Sequence, residues 1–239
     1  MAKKGGDKRT KRQLAPAFWD IKRKEGQFIV RTNPGGHSKT KSYPLGVFLR
    51  DVIKVVTTMN ESEKVLNQSK VKVDGVTRYD VNYPVGLMDI VELQGTESQL
   101  YRLVPKDSRI LSFIDIDQSE KSLKLLKIKT KHLVSNNIIQ YGFHDGKTML
   151  SDRNYNVGDT VVFDIENKKI IEEIKIEPNT LSLIISGENA GIQGKINEVK
   201  QGTFSIPRRV VLNLESRSVE LPTDMIMAIG KESPVIKVN

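Results

Sequence analysis

The hydrophobic pattern is silent over the first forty residues and regular after them. Residues 1–41 show no sustained periodicity and carry the breakers Gly5-Gly6, Pro16 and Pro34-Gly35-Gly36, so they read as an extended arm that orders on a partner. One apolar island interrupts it, Leu14 to Ile21, and it holds the single tryptophan, Trp19. That ring could stack on a nucleobase or pack against the body of the protein. From Pro44 the pattern becomes helical. Leu45, Phe48, Leu49, Val52, Ile53 and Val56 share one face at a period near 3.6, and Arg50 and Lys54 lie four residues apart on another. Asn60 with Glu63 offers a cap for a second short helix over about residues 61–68.

Beyond this point the pattern turns to strands. Lys70–Val73 runs into Asp74-Gly75, a strong hairpin signal, and Pro84-Val85-Gly86 reads as another turn before the strand Met88–Leu93. Leu100–Val104, Arg109–Asp115, Leu123–Lys131, Asn137–Phe143 and Thr160–Ile165 are short apolar or alternating runs. His144–Lys147 and Asn156–Asp159 supply turn chemistry between them. Ile170–Ile176 is a further strand, although its Glu172-Glu173 pair keeps a helix open. Ser182–Ser186, Gly194–Val199 and Arg208–Leu214 complete the strand set. The predicted fold class is therefore α+β and multi-domain. Its parts are an arm over 1–41, a small αβ module over 42–95, a β-rich part over 96–176 and a small β-barrel over 177–239.

Charge changes this picture through its placement. The chain has 239 residues with 38 Lys+Arg and 29 Asp+Glu, a net charge of +9. Residues 1–41 alone hold twelve basic side chains against three acids, so the whole excess lies there. The basic residues are Lys3, Lys4, Lys8, Arg9, Lys11, Arg12, Lys22, Arg23, Lys24, Arg31, Lys39 and Lys41. Such asymmetry suggests a polyanion-binding arm on a neutral body; a solvated tail that aids solubility is the plain alternative. The absence of cysteine excludes a disulfide framework or a thiolate zinc site and fits a reducing cytosol. No stretch is long and apolar enough to suggest a membrane span, so a cytoplasmic protein is expected.

Two motifs carry chemistry. The helix–helix–hairpin over 44–93 resembles the S-four-type RNA-binding module, on Phe48-Leu49-Arg50, Val71–Gly75 and Tyr83–Val91. Such a module presents cations to A-form phosphates, which are recognised mainly by shape and backbone. Lys41, Arg50, Lys54, Lys70, Lys72 and Arg78 are the contacts this predicts, with an ordinary solvated side chain as the alternative at each. Arg50 leads, because the resemblance falls on that residue itself. His37, beside Gly35-Gly36, could touch phosphate or stack on a base. Ser186–Ile196 resembles a KOW motif, a strand–loop–strand within an SH3-like barrel. Its loop residues here are Gly187, Asn189, Gly191, Gly194 and Lys195, the glycines allowing tight turns and close approach to a partner.

The order arm, S-four-type module, β-rich centre and KOW barrel resembles one family along essentially the whole chain: the archaeal and eukaryotic small-subunit ribosomal protein family S-four-E. Lys11-Arg12, Ala15-Pro16, Trp19, Pro34–His37 and Ile226–Lys231 with Pro234 belong to that resemblance. Gly36 stands where the family usually has proline, and Ser186-Gly187 where it often has two glycines. The resemblance implies an archaeal member that binds small-subunit ribosomal RNA in its 5′ or body domain, beside other ribosomal proteins. It implies no catalysis, metal, cofactor, membrane or small-molecule substrate. The three histidines are scattered and no H-E-x-x-H, G-x-S-x-G or P-loop occurs. An RNA-modifying enzyme with an appended S-four-type module, or a KOW-bearing translation or transcription factor, are the alternatives. On the sequence alone, deleting residues 1–41 should flatten the fall of log K with log[salt], by up to roughly 0.9 for every phosphate the arm neutralises, measured as RNA binding over a salt series.

Overall fold

A computed structural model describes residues 10–22, 24, 26–95, 98–134, 138–214 and 217–238. The chain is mostly β with few helices. The arm begins with β1 (Thr10–Lys11), which pairs antiparallel with β2 (Phe28–Ile29). Trp19 is 3 % exposed, and its indole N–H donates to the carbonyl of Ser42 at 2.9 Å. The described part of the arm is therefore packed against the body, and is not the free extended segment expected. The apolar island is the reason: an indole supplies a large buried area and its one donor finds an acceptor.

The residues that follow depart from the predicted helix. β3 (Ser42–Pro44) leads into α1 (Leu45–Val47), which widens at once into a π-helical turn over Phe48–Val52. The Ile53 N–H reaches back five residues to the Phe48 carbonyl. Lys54 then adopts φ +64, so the helix ends before Lys54 and Val56 can join its face. The β-branched run Val52-Ile53 and Val55–Thr58 opposes helix continuation. α2 (Met59–Asn67) is capped by Thr58 and not by Asn60. The Glu61 N–H donates to the Thr58 hydroxyl and the Glu61 carboxylate accepts from the Thr58 N–H, a capping box set two residues earlier than expected.

Asp74 and Gly75 both have positive φ, 50° and 74°, and turn β4 (Val71–Val73) into β5 (Val76–Thr77) as a two-residue hairpin should. Pro84-Val85-Gly86 is not a turn but β6, paired with β3 and wholly buried. The chain reverses after it, where Met88 has φ +63. β7 (Ile90–Leu93), β8 (Gln99–Lys106) and β9 (Arg109–Asp115) extend the hairpin into a sheet of order β5-β4-β7-β8-β9. β8 and β9 thus join the N-terminal sheet rather than the centre, because the short link after Leu93 makes β7 and β8 antiparallel neighbours.

A central sheet has the order β12 (Thr148–Ser151), β11 (Ile139–Phe143), β10 (Leu123–Leu133), β13 (Thr160–Asp164), β14 (Lys169–Ile174). β10 pairs with β13 through Lys127 and with β11 from Ile128, with a register break at 128–130. The third sheet is β18 (Ser218–Pro222), β17 (Arg209–Asn213), β16 (Gln193–Lys200), β15 (Leu181–Ile184), β19 (Ile226–Gly230). β12, β18 and β19 lie outside the strand set expected from the sequence. Among the described residues no helix is long and apolar enough to cross a membrane.

Among the described residues, three buried cations tie these sheets together. The Lys124 side chain on β10 is fully buried, with its Nζ 2.6 Å from Asp74, 2.6 Å from Asp89 and 3.1 Å from Asp145. Two of those carboxylates belong to the N-terminal sheet and its turns, and the third to the β11–β12 turn. Arg102 on β8, also fully buried, donates to the Glu120 carboxylate at 2.5 Å and to the carbonyls of Lys237 and Leu123. Lys127 donates to the carbonyls of Thr223 and Ile226 in the third sheet's connection, at 2.6 and 2.7 Å. Burial alone would lower Lys124, but Asp74, Asp89 and Asp145 outweigh it and hold the ammonium well above its ordinary range. Lys124→Ala would strand three crowded carboxylates, and we expect it to destabilise the protein by about 3–5 kcal/mol in urea unfolding.

Candidate nucleic-acid interface

Sorting the cations by what the fold already asks of them separates structural charge from outward charge. Arg12 donates to the Ile21 carbonyl at 2.8 Å and so fastens the arm's own loop. Arg50 forms a two-pronged pair with Asp51, Nη2 to Oδ2 at 2.8 Å and Nε to Oδ1 at 3.1 Å. It remains a quarter exposed, but reversing its charge would disturb the buried Asp51 as well as any RNA. Arg78 lies over the Tyr83 ring, 4.3 Å from its centroid. Lys39 reaches the Thr10 hydroxyl at 3.3 Å.

Lys11, Lys22, Lys24, Arg31, Lys41, Lys54 and Lys70 are exposed, and Lys72 is half-buried on β4. Lys3, Lys4, Lys8, Arg9 and Arg23 lie outside the described residues. The fold brings Lys22, Arg50 and Lys54 together around one cleft of about 420 Å³, where Asp20 and Asp51 are the opposing acids. An arm residue meets one residue of the first helical segment and one just beyond its end, 28 or more positions away in sequence. The positive φ of Lys54 turns the chain at the cleft's rim.

His37 does not face outward as a phosphate or base contact should. Its side chain is 8 % exposed and its Nε2 lies 3.0 Å from Asp89, which also faces Lys124. Gly36 explains the departure from proline beside it. A Cβ there would collide with the backbone carbonyl of Asp145, so the arm's turn and the β11–β12 turn meet backbone to backbone.

The predicted loop over 187–195 is likewise partly committed within the chain. Gly191 has φ +93, and a Cβ on it would sit 2.8 Å from the Lys106 Cα and 2.9 Å from the Pro105 carbonyl. The Ser108 N–H donates to the Ala190 carbonyl nearby. The close approach that Gly191 permits is made to the β8–β9 turn of the same protein. Asn189 accepts from Arg217 at 2.6 Å, whereas Gly187 faces open space and Lys195 is exposed.

Two family models match separate stretches of the chain. The model described as "RS4NT (NUC023) domain" matches residues 4–40 and "Ribosomal family S4e" matches residues 97–170. A protein of Pyrobaculum arsenaticum described as small ribosomal subunit protein eS4 is 37% identical over 237 residues, covering 96% of this chain and 98% of its own. The chain belongs to the ribosomal S4e family. A relative of the same description from Staphylothermus marinus is 34% identical, over 99% of this chain and 98% of its own. The solved 30S ribosomal protein S4e of Thermoplasma acidophilum superposes with a TM-score of 0.67 at 30% identity, covering 80% of this chain and 96% of that one.

In this S4e chain the histidines His37 and His144 serve the junction and not the surface. His144 accepts from the Lys127 N–H at Nδ1 (3.2 Å) and its Nε2 lies 3.1 Å from the Leu87 carbonyl, which fixes the neutral tautomer with hydrogen on Nε2. Burial first, then the Lys124 ammonium, pulls its pKa down to about 3. A folded-state value below the ordinary one contributes stability that is present above about pH 6.5 and is lost as pH falls towards 3. Asp89 and Asp145, against Lys124, also lie below the carboxylate range despite burial, and their contribution is lost only at lower pH. We therefore expect unfolding free energy to fall from pH 6 to pH 4 with a slope of at most about 1.4 kcal/mol per pH unit from His144. The slope over that interval should be shallower in His144→Gln, as read from urea titrations at each pH.

Proposed function

We propose that this protein is a structural, non-enzymatic constituent of the small ribosomal subunit that binds and braces its ribosomal RNA. The observation that carries this reading is the near full-length similarity to proteins described as small ribosomal subunit protein eS4. Physical chemistry supplies the mode. Phosphate contacts by lysine and arginine give affinity and register, while the folded modules supply local shape. The exposed lysines of the arm and the cleft lined by Lys22, Arg50 and Lys54 fit that role.

The finer reading is that residues 42–95 act as an S-four-type module and residues 177–239 as a KOW, SH3-like unit, on the 5′ or body domain of the RNA. The Asp74-Gly75 hairpin beside two short helical segments supports the first. The glycine-bearing loop between β15 and β16 in a five-stranded sheet supports the second. An RNA-modifying enzyme would need a larger αβ catalytic domain, whereas the segment from β10 to β19 forms two antiparallel sheets.

Fractionation tests the structural assignment. The protein should remain with small subunits through a high-salt wash, and release into the supernatant with factors would overturn it. The arm is tested by truncation, and the cut must respect the fold. Removing residues 1–41 would also remove Trp19 and His37, so the informative deletion is residues 1–9, which hold Lys3, Lys4, Lys8 and Arg9. That deletion should leave the melting temperature in place and flatten log K against log[salt] by roughly 0.7–0.9 for each phosphate no longer neutralised. An unchanged slope would remove residues 1–9 from the binding account.

A further inference from the structure

A second cleft, of about 560 Å³, opens where the arm, the central sheet and the third sheet meet. Lys41 enters it from the arm, Lys127 and Lys129 from β10, and Asp224 from the turn before β19. His37 and His144 also line it, but both are committed, to Asp89 and to Leu87 with Lys127. Lys41 is held at the end of a short turn by its own N–H to the Ser38 carbonyl, 2.9 Å, and by the Ser42 hydroxyl to that same carbonyl, 2.8 Å. Lys129 follows Ile128 at the point where β10 changes register, and is exposed.

We propose that this cleft seats a phosphodiester of the bound RNA, contacted by Lys41 and Lys129 with the buried Lys127 ammonium behind them. The proposal rests on the RNA-binding reading above and deepens it, since it gives the central sheet a contact of its own. Three ammonium groups converge and a single acid among the lining residues opposes them. Lys127 spends two of its three donors on carbonyls, and the third has no acceptor among the described residues. Burial brings the Lys127 ammonium down to about 8; Asp224 is the strongest single charge acting on it and opposes that fall, while Lys129 and Lys41 add smaller like-charge repulsion. An anion in the cleft would reverse that repulsion and take the spare donor. Lysines act on phosphate as point charges and do not need the two-pronged geometry of arginine.

The test uses the full chain and small-subunit ribosomal RNA. K41Q/K129Q is compared with wild type and with K168Q/K231Q, two exposed lysines outside the cleft. The cleft variant should flatten log K against log[salt] by roughly 1.4–1.8, the equivalent of two phosphates, and the control should not. An unchanged slope in the cleft variant, with wild type binding normally, overturns the cleft and leaves the general reading standing. If wild type itself fails to bind, that reading falls and the cleft falls with it. Acylation of Lys41 and Lys129 in the wild-type protein, read by mass spectrometry, decides the matter even if the variant loses stability. Protection by RNA and not by inorganic phosphate at matched ionic strength is expected. Equal protection by phosphate would make this a free-anion site, and no protection by either would make it no site; both overturn the proposal.

Discussion

The ammonium of Lys124 occupies the point at which three carboxylates, Asp74, Asp89 and Asp145, come together out of water. Like charges that close would drive the N-terminal hairpin, the turn after β6 and the β11–β12 turn apart. With the lysine between them they form one alternating cluster, closed on the outer side by Lys147, 2.8 Å from Asp74. Taking these ions from water costs several kcal/mol each, and only close geometry with backbone donors returns it. The donors are present. Gly86 and Ile90 give their N–H groups to Asp89 and Asp74, and Lys147 gives its own to Asp145.

From this cluster the rest of the arrangement follows. His37 brings the arm onto Asp89, Gly36 lets the two backbones touch, and Lys127, three residues along β10, reaches into the third sheet's connection. The sheets share their apolar surface as well. One core runs from Met88 and Ile90 through Leu125 and Val162 to Leu212 and Ile229, so it draws on all three. The arm is fastened on the other side by Trp19, packed with Tyr43, Phe48 and Leu103 in a second core. Polar contacts fix which surfaces meet, and the apolar ones supply most of the burial.

Local chemistry is legible in the sequence and long-range charge use is not. Asp74-Gly75 announces its hairpin because two positive-φ residues leave few other conformations. β9 runs over the residues its alternation marks. The first helix falls short of its pattern because apolar spacing cannot show that a β-branched run will widen and stop it at Lys54. β18 is only five residues long despite the alternation of Val219 and Leu221, β19 is a continuous apolar run, and both owe their place to neighbours on the sheet. Among the cations, Lys124, Lys127 and Arg102 sit unmarked in a segment of zero net charge, where each looks like ordinary surface. No local pattern separates a buried lysine from a solvated one when its partners lie 21 to 99 residues away. The same blindness makes His37 look available and leaves Lys129 out of the candidate contacts.

Arg102 has a consequence in time. The Arg102 Nε has no partner among the described residues, and one acceptor of its guanidinium, the carbonyl of Lys237, lies 135 residues further along, where Ile236 and Val238 also enter the core. At roughly 5–20 residues per second of synthesis, that partner emerges about 7–27 s after the arginine does. A β7–β8–β9 ladder formed within that interval would hold Arg102 without its Lys237 acceptor. A sheet built on that schedule would close around Arg102 only once the chain's last residues arrive.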